Sequence, residues 1–457
     1  MTTDASRGTY PAVLAVVAAS TFLAMAAYTA PFGNAVSLTA ALRATPAESS
    51  WILASMSVGL AATLLAAGVV ADRIGRHAVF EIGSLIFVGA NIVSAAAPEA
   101  IVFVIARVIA GIGATGMIAT GLGLVSATAR EPRHHTATAT VWSIMMGAGI
   151  AVGPVVAGML DLVGAWRWLY VFFALGGLAI WISAHRTCRP RHSSIQPARS
   201  TRFDILGFVL ITAFLAVLVT AIVLVRSAGP TTSTLLFALA AALLAGFVLS
   251  QRLGTRRLIQ PSLFVRKDFL ATTTAGLGAG LGIVGVMAFA PTYFVAGVGL
   301  STLQAGSMSA LWASTSAVAA LVLARRTARI SGPVQLMLGL GGAALGAGLM
   351  TGIGESSGAA RLIVSLIVAG VAAGVLNTGL ARQAVASVPA EDAATGTAAN
   401  NTARYLGVAI GVSLASLITT NNATVHGWNL VVWIGAGASL IATIAVAGLS
   451  RTARNTP

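Results

Sequence analysis

Gly68-Val-Val-Ala-Asp72-Arg73-Ile-Gly75-Arg76-His77 falls where one long apolar run stops and the next has not begun. Its charges therefore belong at a membrane surface, and its glycines let two helix ends meet closely. The stretch reads as a tight, charged hairpin between two membrane spans, and the runs on either side of it decide what the chain is.

Of the 457 residues 57% are hydrophobic and 9% are charged, with a mean hydropathy of +0.90. A soluble domain carries about 25% charged residues, so a soluble core does not fit this composition. Lipid offers no partner to an exposed backbone polar group, so a chain this apolar, with 50 glycines, is expected to fold as a bundle of close-packed membrane helices. Strands would need alternation, and the apolar runs are continuous. Cys188 is the single cysteine, which excludes an intrachain disulfide and a cysteine metal cluster.

Apolar runs lie near residues 11–30, 51–70, 78–97, 100–125, 138–160 and 166–184, then 205–225, 234–250, 269–295, 305–323, 334–352, 362–384, 403–419 and 428–449. Each of these fourteen is about the length that crosses roughly 30 Å of hydrocarbon. The net charge of +15 would suggest nucleic acid in a soluble protein, but basic residues between spans are what the positive-inside bias predicts. With the N-terminus inside, the 27 Lys and Arg fall on inner loops except Arg43, Arg167, Arg226 and Arg361, which fall outside, and Arg107 within a span. A span missed early on would move every later loop to the other side and destroy this asymmetry. Both termini are therefore expected in the cytoplasm. The first run has no small-residue cleavage pattern clearly separating it from the residues after it, and reads as a retained span.

Arg107-Val-Ile-Ala110-Gly111-Ile-Gly113-Ala114 puts one arginine several residues inside the fourth run. A lone cation there costs roughly 2.5–3.5 kcal/mol on insertion scales, so it is expected to face the bundle interior and find a partner. In the fifth run Gly149, Gly153 and Ala157 recur every four residues beside Pro154 and Gly158. That makes a bare helix face for a neighbouring backbone, on a helix bent by proline. Gly276, Gly278, Gly280 and Gly282 lie inside a span with no Lys-Ser/Thr after them, and read as a packing surface rather than a phosphate loop. With no nucleotide-binding loop, metal-ligand spacing or nucleophile elbow in the sequence, the expectation is no enzyme, no cofactor, no metal and no ATP-driven step.

The hairpin at Gly68 to His77, placed at the second run, resembles the loop between spans two and three of major facilitator superfamily transporters. The Arg107 stretch resembles that superfamily's fourth-span arginine signature, associated with proton transfer, with Ala110 where a glutamine is expected. Gly149-x-x-x-Gly153-Pro154-x-x-Ala157-Gly158 is similar to the signature that separates its antiporters from its uptake members. Trp166-Arg167-Trp168, Phe203-Asp204-Ile-Leu-Gly207 and Asn401-Thr-Ala-Arg404-Tyr-Leu-Gly407 resemble the fourteen-span drug:proton antiporter family, and the likeness runs from about Trp51 to Gly411.

The resemblance implies an all-α integral membrane protein with the major facilitator fold. Its parts would be a six-span bundle (1–184), a basic cytoplasmic linker (185–203), two inserted spans (204–250) and a second six-span bundle (251–457). It implies export of small amphiphilic compounds, drugs or natural products, by proton antiport across a bacterial inner membrane, with both termini cytoplasmic and the protein a monomer. The latch between conformers would be Gly68, Asp72, Arg73, Gly75 and Arg76. One departure matters: Ala27 stands where the family commonly has a first-span aspartate. None of the twelve carboxylates is expected at the bilayer centre, Glu81 and Asp161 going deepest, so proton coupling is assigned to Arg107 with Asp72, Glu81 or Asp161. With Arg107 the only buried charge recognised, a neutral or anionic amphiphile is the expected substrate, lined by Tyr28, Asn34, Asn91, Tyr293, Gln304 and Asn377. The missing aspartate keeps an uncoupled facilitator open, and a non-transporting membrane sensor is a further alternative.

Overall fold

The computed structural model describes residues 9–128, 132–188, 204–225, 229–254, 263, 265–324, 330–354, 359–389, 393–419 and 425–454. In chain order the helices are α1 (Thr9–Gly33), α2 (Ala35–Ala41), α3 (Pro46–Ile74), α4 (Arg76–Ala96), α5 (Ala100–Thr128), α6 (Pro132–Asp161) and α7 (Trp166–Thr187). There follow α8 (Ile205–Leu224), α9 (Gly229–Leu253), α10 (Lys267–Ala279), a π-helical turn (Gly280–Val284) and α11 (Gly285–Ala296). The last are α12 (Thr302–Ala324), α13 (Gly332–Leu349), α14 (Ala359–Ala386), α15 (Ala393–Thr419) and α16 (Val425–Arg454). With α10 to α11 continuous, thirteen helices among the described residues are long and apolar enough to cross a membrane, and α3 carries a shorter apolar stretch, Trp51–Leu64. These thirteen and the α3 stretch lie where the fourteen apolar runs were expected. The short α2 has no signature in the sequence, because seven residues are too few to show a helical period.

Local chemistry sets the boundaries. Thr45 and Glu48 form a capping box at the start of α3: Glu48 Oε2 accepts from the Thr45 N–H at 2.8 Å, and Thr45 Oγ1 accepts from the Glu48 N–H at 3.3 Å. At the far end α3 stops at Gly75, whose φ of +100° an L side chain rarely adopts, and α4 begins at the next residue. The opening hairpin is therefore a one-residue break.

The helices α1 and α3 to α7 pack as one bundle and α10 to α16 as another, with two seams between them, α6 against α12 and α3 against α15. Between apolar helices in lipid, close backbone approach replaces the hydrophobic drive, so the seams and bundle interiors are lined by small residues. Glycines 276 and 280 face α15, where a Cβ would meet the Asn400 and Arg404 backbone, while Gly278 and Gly282 face Ala442 and Ser439 of α16. The pair α8 and α9 covers the α3–α15 seam, with Ile211, Leu215 and Phe247 clustered with Ala62, Phe269, Val388 and Ala398. Outward faces are apolar: Ile101, Ile105, Ile109 and Ile112 make one exposed stripe along α5, as a lipid-facing helix requires.

Arg130, Glu131, Phe203, most of the basic linker (189–203), residues 325–329 and the pair Glu391 and Asp392 lie outside the described residues. So do the side chains of Asp72 and Arg73.

Candidate functional site

Arg107 lies on α5 and is 1% exposed. Its Nη2 donates to the Ala27 carbonyl of α1 at 2.5 Å, and its guanidinium sits over the Tyr170 ring of α7, 5.7 Å from the centroid. A proline explains that acceptor. Pro31 stands inside α1 four residues after Ala27, and has no N–H to give the helical hydrogen bond to that carbonyl. The arginine satisfies the group the proline leaves open. Ala27, where the resemblance expects an aspartate, thus contributes a backbone oxygen. Nε and Nη1 have no partner, and no described carboxylate is paired with Arg107.

A second proline repeats the arrangement. Pro154 inside α6 leaves the Ile150 carbonyl open, and Thr29 Oγ1 of α1 lies 3.2 Å from it. The glycine stripe makes this approach possible. A Cβ on Gly149 would stand 2.9 Å from Met25 Cβ, and one on Gly153 would stand 2.5 Å from Thr29 Oγ1 and press on the Ala26 carbonyl. The other flank of α6 meets α12, where a Cβ on Gly306 would lie 3.3 Å from the Pro154 carbonyl.

Where α1, α6, α11 and α12 converge there is a cavity of about 30 Å³, lined by Tyr28, Phe32, Met287, Pro291 and Trp312 with the hydroxyls of Thr29 and Ser309. It has room for a water and is far below the roughly 300–1,000 Å³ of a drug-sized site, so the conformer is closed at this level. Among the described residues no charged side chain lines it. Val284, the last residue of the π-helical turn, reaches its wall.

Next to that cavity lies a second buried cation. Arg404 of α15 is 6% exposed. Its Nη1 donates to Asn377 Oδ1 of α14 at 3.3 Å, and Nη1 and Nη2 point at the Met146 thioether of α6 at 3.7 and 3.6 Å. Its Nε has no partner. The guanidinium lies 5.4 Å from the Tyr405 ring centre, and Tyr405 meets Tyr28 edge to face at 5.9 Å. Arg404 therefore sits on the seam between bundles, one ring pair away from the cavity.

The remaining expected residues are dispersed. Arg76 Nη1 donates to the Gly123 carbonyl at 3.2 Å, tying the hairpin to α5, and Gly68 is buried near the end of α3. Glu81 is at the same end, its Oε1 2.7 Å from His185 Nδ1 and 3.6 Å from His77 Nε2. Asp161 is at the opposite end, accepting from Ser37 Oγ at 2.5 Å. Neither carboxylate meets Arg107. Of the six lining residues, Tyr28 borders the cavity and Asn377 holds Arg404. Asn34 stands at the N-cap of α2, where its carbonyl accepts from the Leu38 N–H at 2.9 Å. Asn91 Nδ2 donates to the Phe87 carbonyl at 2.7 Å, and Gln304 Oε1 accepts from the Ser301 N–H at 2.9 Å. Tyr293 donates to the Ile353 carbonyl at 2.6 Å and stacks on Trp428. Asn91, Tyr293 and Gln304 serve helix ends and bundle interiors, whereas the buried side-chain amide of Asn34 has no hydrogen-bond partner among the described residues.

A family profile described as Major Facilitator Superfamily matches residues 17–412. The chain belongs to that superfamily. Superfamily relatives include the "Probable actinorhodin transporter" of Streptomyces coelicolor, 28% identical over 80% of this chain and 64% of the relative. The "Multidrug resistance protein Stp" of Mycobacterium tuberculosis is 28% identical over 80% of this chain and 67% of its own, and the "Puromycin resistance protein pur8" of Streptomyces alboniger 26% over 86% and 82%. The chain thus spans about two thirds of the length of the first two. Among solved structures, the human organic anion transporter MFSD10 (TETRAN) superposes with a TM-score of 0.64 at 18% identity, covering 96% of this chain and 99% of the other, and shares the superfamily fold.

The buried position of Arg404 was not read from the sequence, which starts the thirteenth run at residue 403 and leaves Arg404 at its edge. The helix in fact begins at Ala393, so Arg404 is about 16 Å along it. Gly396, Asn400 and Asn401 lower the hydropathy of those first turns and hide the helix start; the signal available was the Asn401 to Gly407 motif itself.

Proposed function

We propose that the protein exports small amphiphilic compounds from a bacterial cell, as a drug or natural-product efflux transporter working by alternating access of its two bundles. The observation that carries this reading is the uncharged cavity closed between α1, α6, α11 and α12 on the seam of the bundles, bordered by the glycine-proline face of α6. The names of the relatives, two of them resistance proteins, support the same class of cargo. A wall of aromatic rings, a thioether and hydroxyls suits a neutral or anionic amphiphile better than a dication, which would want a carboxylate.

The hairpin end is the cytoplasmic one in this reading, as the distribution of basic residues supports, and Gly68, Asp72, Arg73, Gly75 and Arg76 form the latch there. Coupling to protons is assigned to Arg107 with Asp72, Glu81 or Asp161. An uncoupled facilitator is the second reading, favoured by the Ala27 carbonyl that stands in place of a titratable group beside Arg107. Energised inverted membrane vesicles, with a pH-sensitive dye and cationic, anionic and neutral amphiphiles added in turn, separate the two. Antiport predicts that one class releases the proton gradient and that Arg107→Ala abolishes the response. Movement of labelled compounds with no proton response overturns antiport and leaves the facilitator.

A further inference from the structure

We propose that Arg404 is the anchor for an anionic head group of the substrate, a carboxylate, sulfonate or phenolate, whose apolar body occupies the neighbouring cavity. The inference deepens the export reading and rests on it for the cavity. Three observations carry it.

First, the site has donors and lacks a matching acceptor. A guanidinium offers five N–H groups in a fixed fork, suited to a two-oxygen anion. Here Nε is unpartnered, and the two Nη atoms have one side-chain amide oxygen and the Met146 thioether, a weak acceptor. Trp142, one turn before Met146 on α6, has a buried indole N–H that also finds no acceptor. No described carboxylate is paired with Arg404.

Second, the sulfur that occupies the acceptor position can leave. Met146 belongs to one bundle and Arg404 to the other, so parting of the seam withdraws the thioether from the guanidinium. Methionine is unbranched and adapts its rotamers at little cost, which suits a side chain that fills the place until an anion arrives. Third, the head and body positions are contiguous. Tyr405 lies between Arg404 and Tyr28, Tyr28 lines the cavity, and the π-helical turn Gly280–Val284 spans both, with Gly280 against the Arg404 backbone and Val284 in the cavity wall. Such turns often mark functional positions in helices.

The test is a titration of purified protein in nanodiscs of zwitterionic lipid with 1-pyrenebutyrate and, separately, its uncharged primary amide, read by quenching of tryptophan fluorescence. The carboxylate is expected to bind on the order of tenfold more tightly than the amide, which is about 1.4 kcal/mol. Arg404→Gln should remove that preference while leaving the amide affinity within about twofold, and Arg404→Lys, which keeps charge and loses the fork, should keep part of it. Equal affinity of the two probes for the wild type, no binding of the carboxylate, or an undiminished preference in R404Q overturns the proposal. If R404Q does not fold, an undiminished preference in R404K overturns it and a reduced one supports it. Uptake of each pyrene probe into inverted vesicles separates the two readings. Uptake without preference for the carboxylate keeps export and removes the anchor, whereas Arg404-dependent preference without uptake of either probe keeps the anchor and removes export.

Discussion

The pairing of Arg107 with the carbonyl that Pro31 leaves open can be measured as a double-mutant cycle. Arg107→Met removes a buried cation, a relief of roughly 2.5–3.5 kcal/mol. It also leaves the Ala27 carbonyl without a donor, a cost of about 1–3 kcal/mol. The two largely offset, so R107M should stay within about 2.5 kcal/mol of the wild type although the Arg107 side chain is 1% exposed. The sharper quantity is the coupling. Pro31→Ala restores an N–H at the position that serves Ala27, and relieves about 3 kcal/mol of mid-helix proline in either background. Only without Arg107 does the restored N–H also satisfy an empty carbonyl, so P31A should stabilise R107M by about 1 kcal/mol more than it stabilises the wild type. Equilibrium unfolding of the four proteins in mixed micelles gives the cycle. Equal effects of P31A in both backgrounds, within the roughly 0.5 kcal/mol that independent sites show, would refute the account of why Arg107 holds that carbonyl.

Three other contacts have expected outcomes of their own. Gly153→Val should destabilise the α1–α6 pair by about 1–3 kcal/mol and lower transport at equal membrane abundance, because its side chain meets Ala26 and Thr29 with no room to shift; an unchanged melting temperature would contradict the packing described. Gly75→Ala meets nothing within 4 Å, so its whole effect is backbone strain at φ +100°, expected at about 1–2 kcal/mol by thermal unfolding and matched by Gly75→Ser. At the α3 cap the Thr45 N–H and hydroxyl hold the Glu48 carboxyl below its usual range. A lowered folded value means that the cap contributes in full above the ordinary carboxylate pKa and loses its contribution as pH falls through the lowered one. Glu48→Gln should flatten that acid limb in melting curves between pH 6 and pH 3, taken as roughly the span around a carboxylate pKa, and an identical limb in the variant would remove the cap as its source.

Legibility varied with how local the cause was. Arg107 was legible because a charge inside an apolar run needs no neighbour to be noticed. Its partner was not, since the meeting of an arginine with a backbone carbonyl freed by proline is a property of two helices in register. Glu81 and Asp161 lie at opposite ends of the bundle, paired with histidines and a serine respectively. Asn34, Asn91, Tyr293 and Gln304 look like cavity residues when polarity within an apolar run is the criterion. In the fold Asn91, Tyr293 and Gln304 each bond to a backbone group of their own bundle, while Asn34 caps α2 only through its backbone carbonyl and keeps a buried, unpartnered side-chain amide. Bonding within the helix bundle is the commoner fate of a polar side chain in a membrane helix.

The sequence by itself determined the apolar runs, the hairpin at Gly75 and the glycine face of α6, and its motifs carry the resemblance to the major facilitator superfamily. The runs, the hairpin and the glycine face follow from composition along one helix or from the length of an apolar run, and each motif is contiguous in the chain, so no second helix is needed to state any of them. Only the tertiary structure decided which cations meet which acceptors. Arg404 and Met146 are 258 positions apart in the chain, Arg107 and Ala27 80 apart. Their encounter depends on helix rotation and register, which in lipid are set by close backbone packing rather than by an amphipathic stripe that a reader of the sequence could follow.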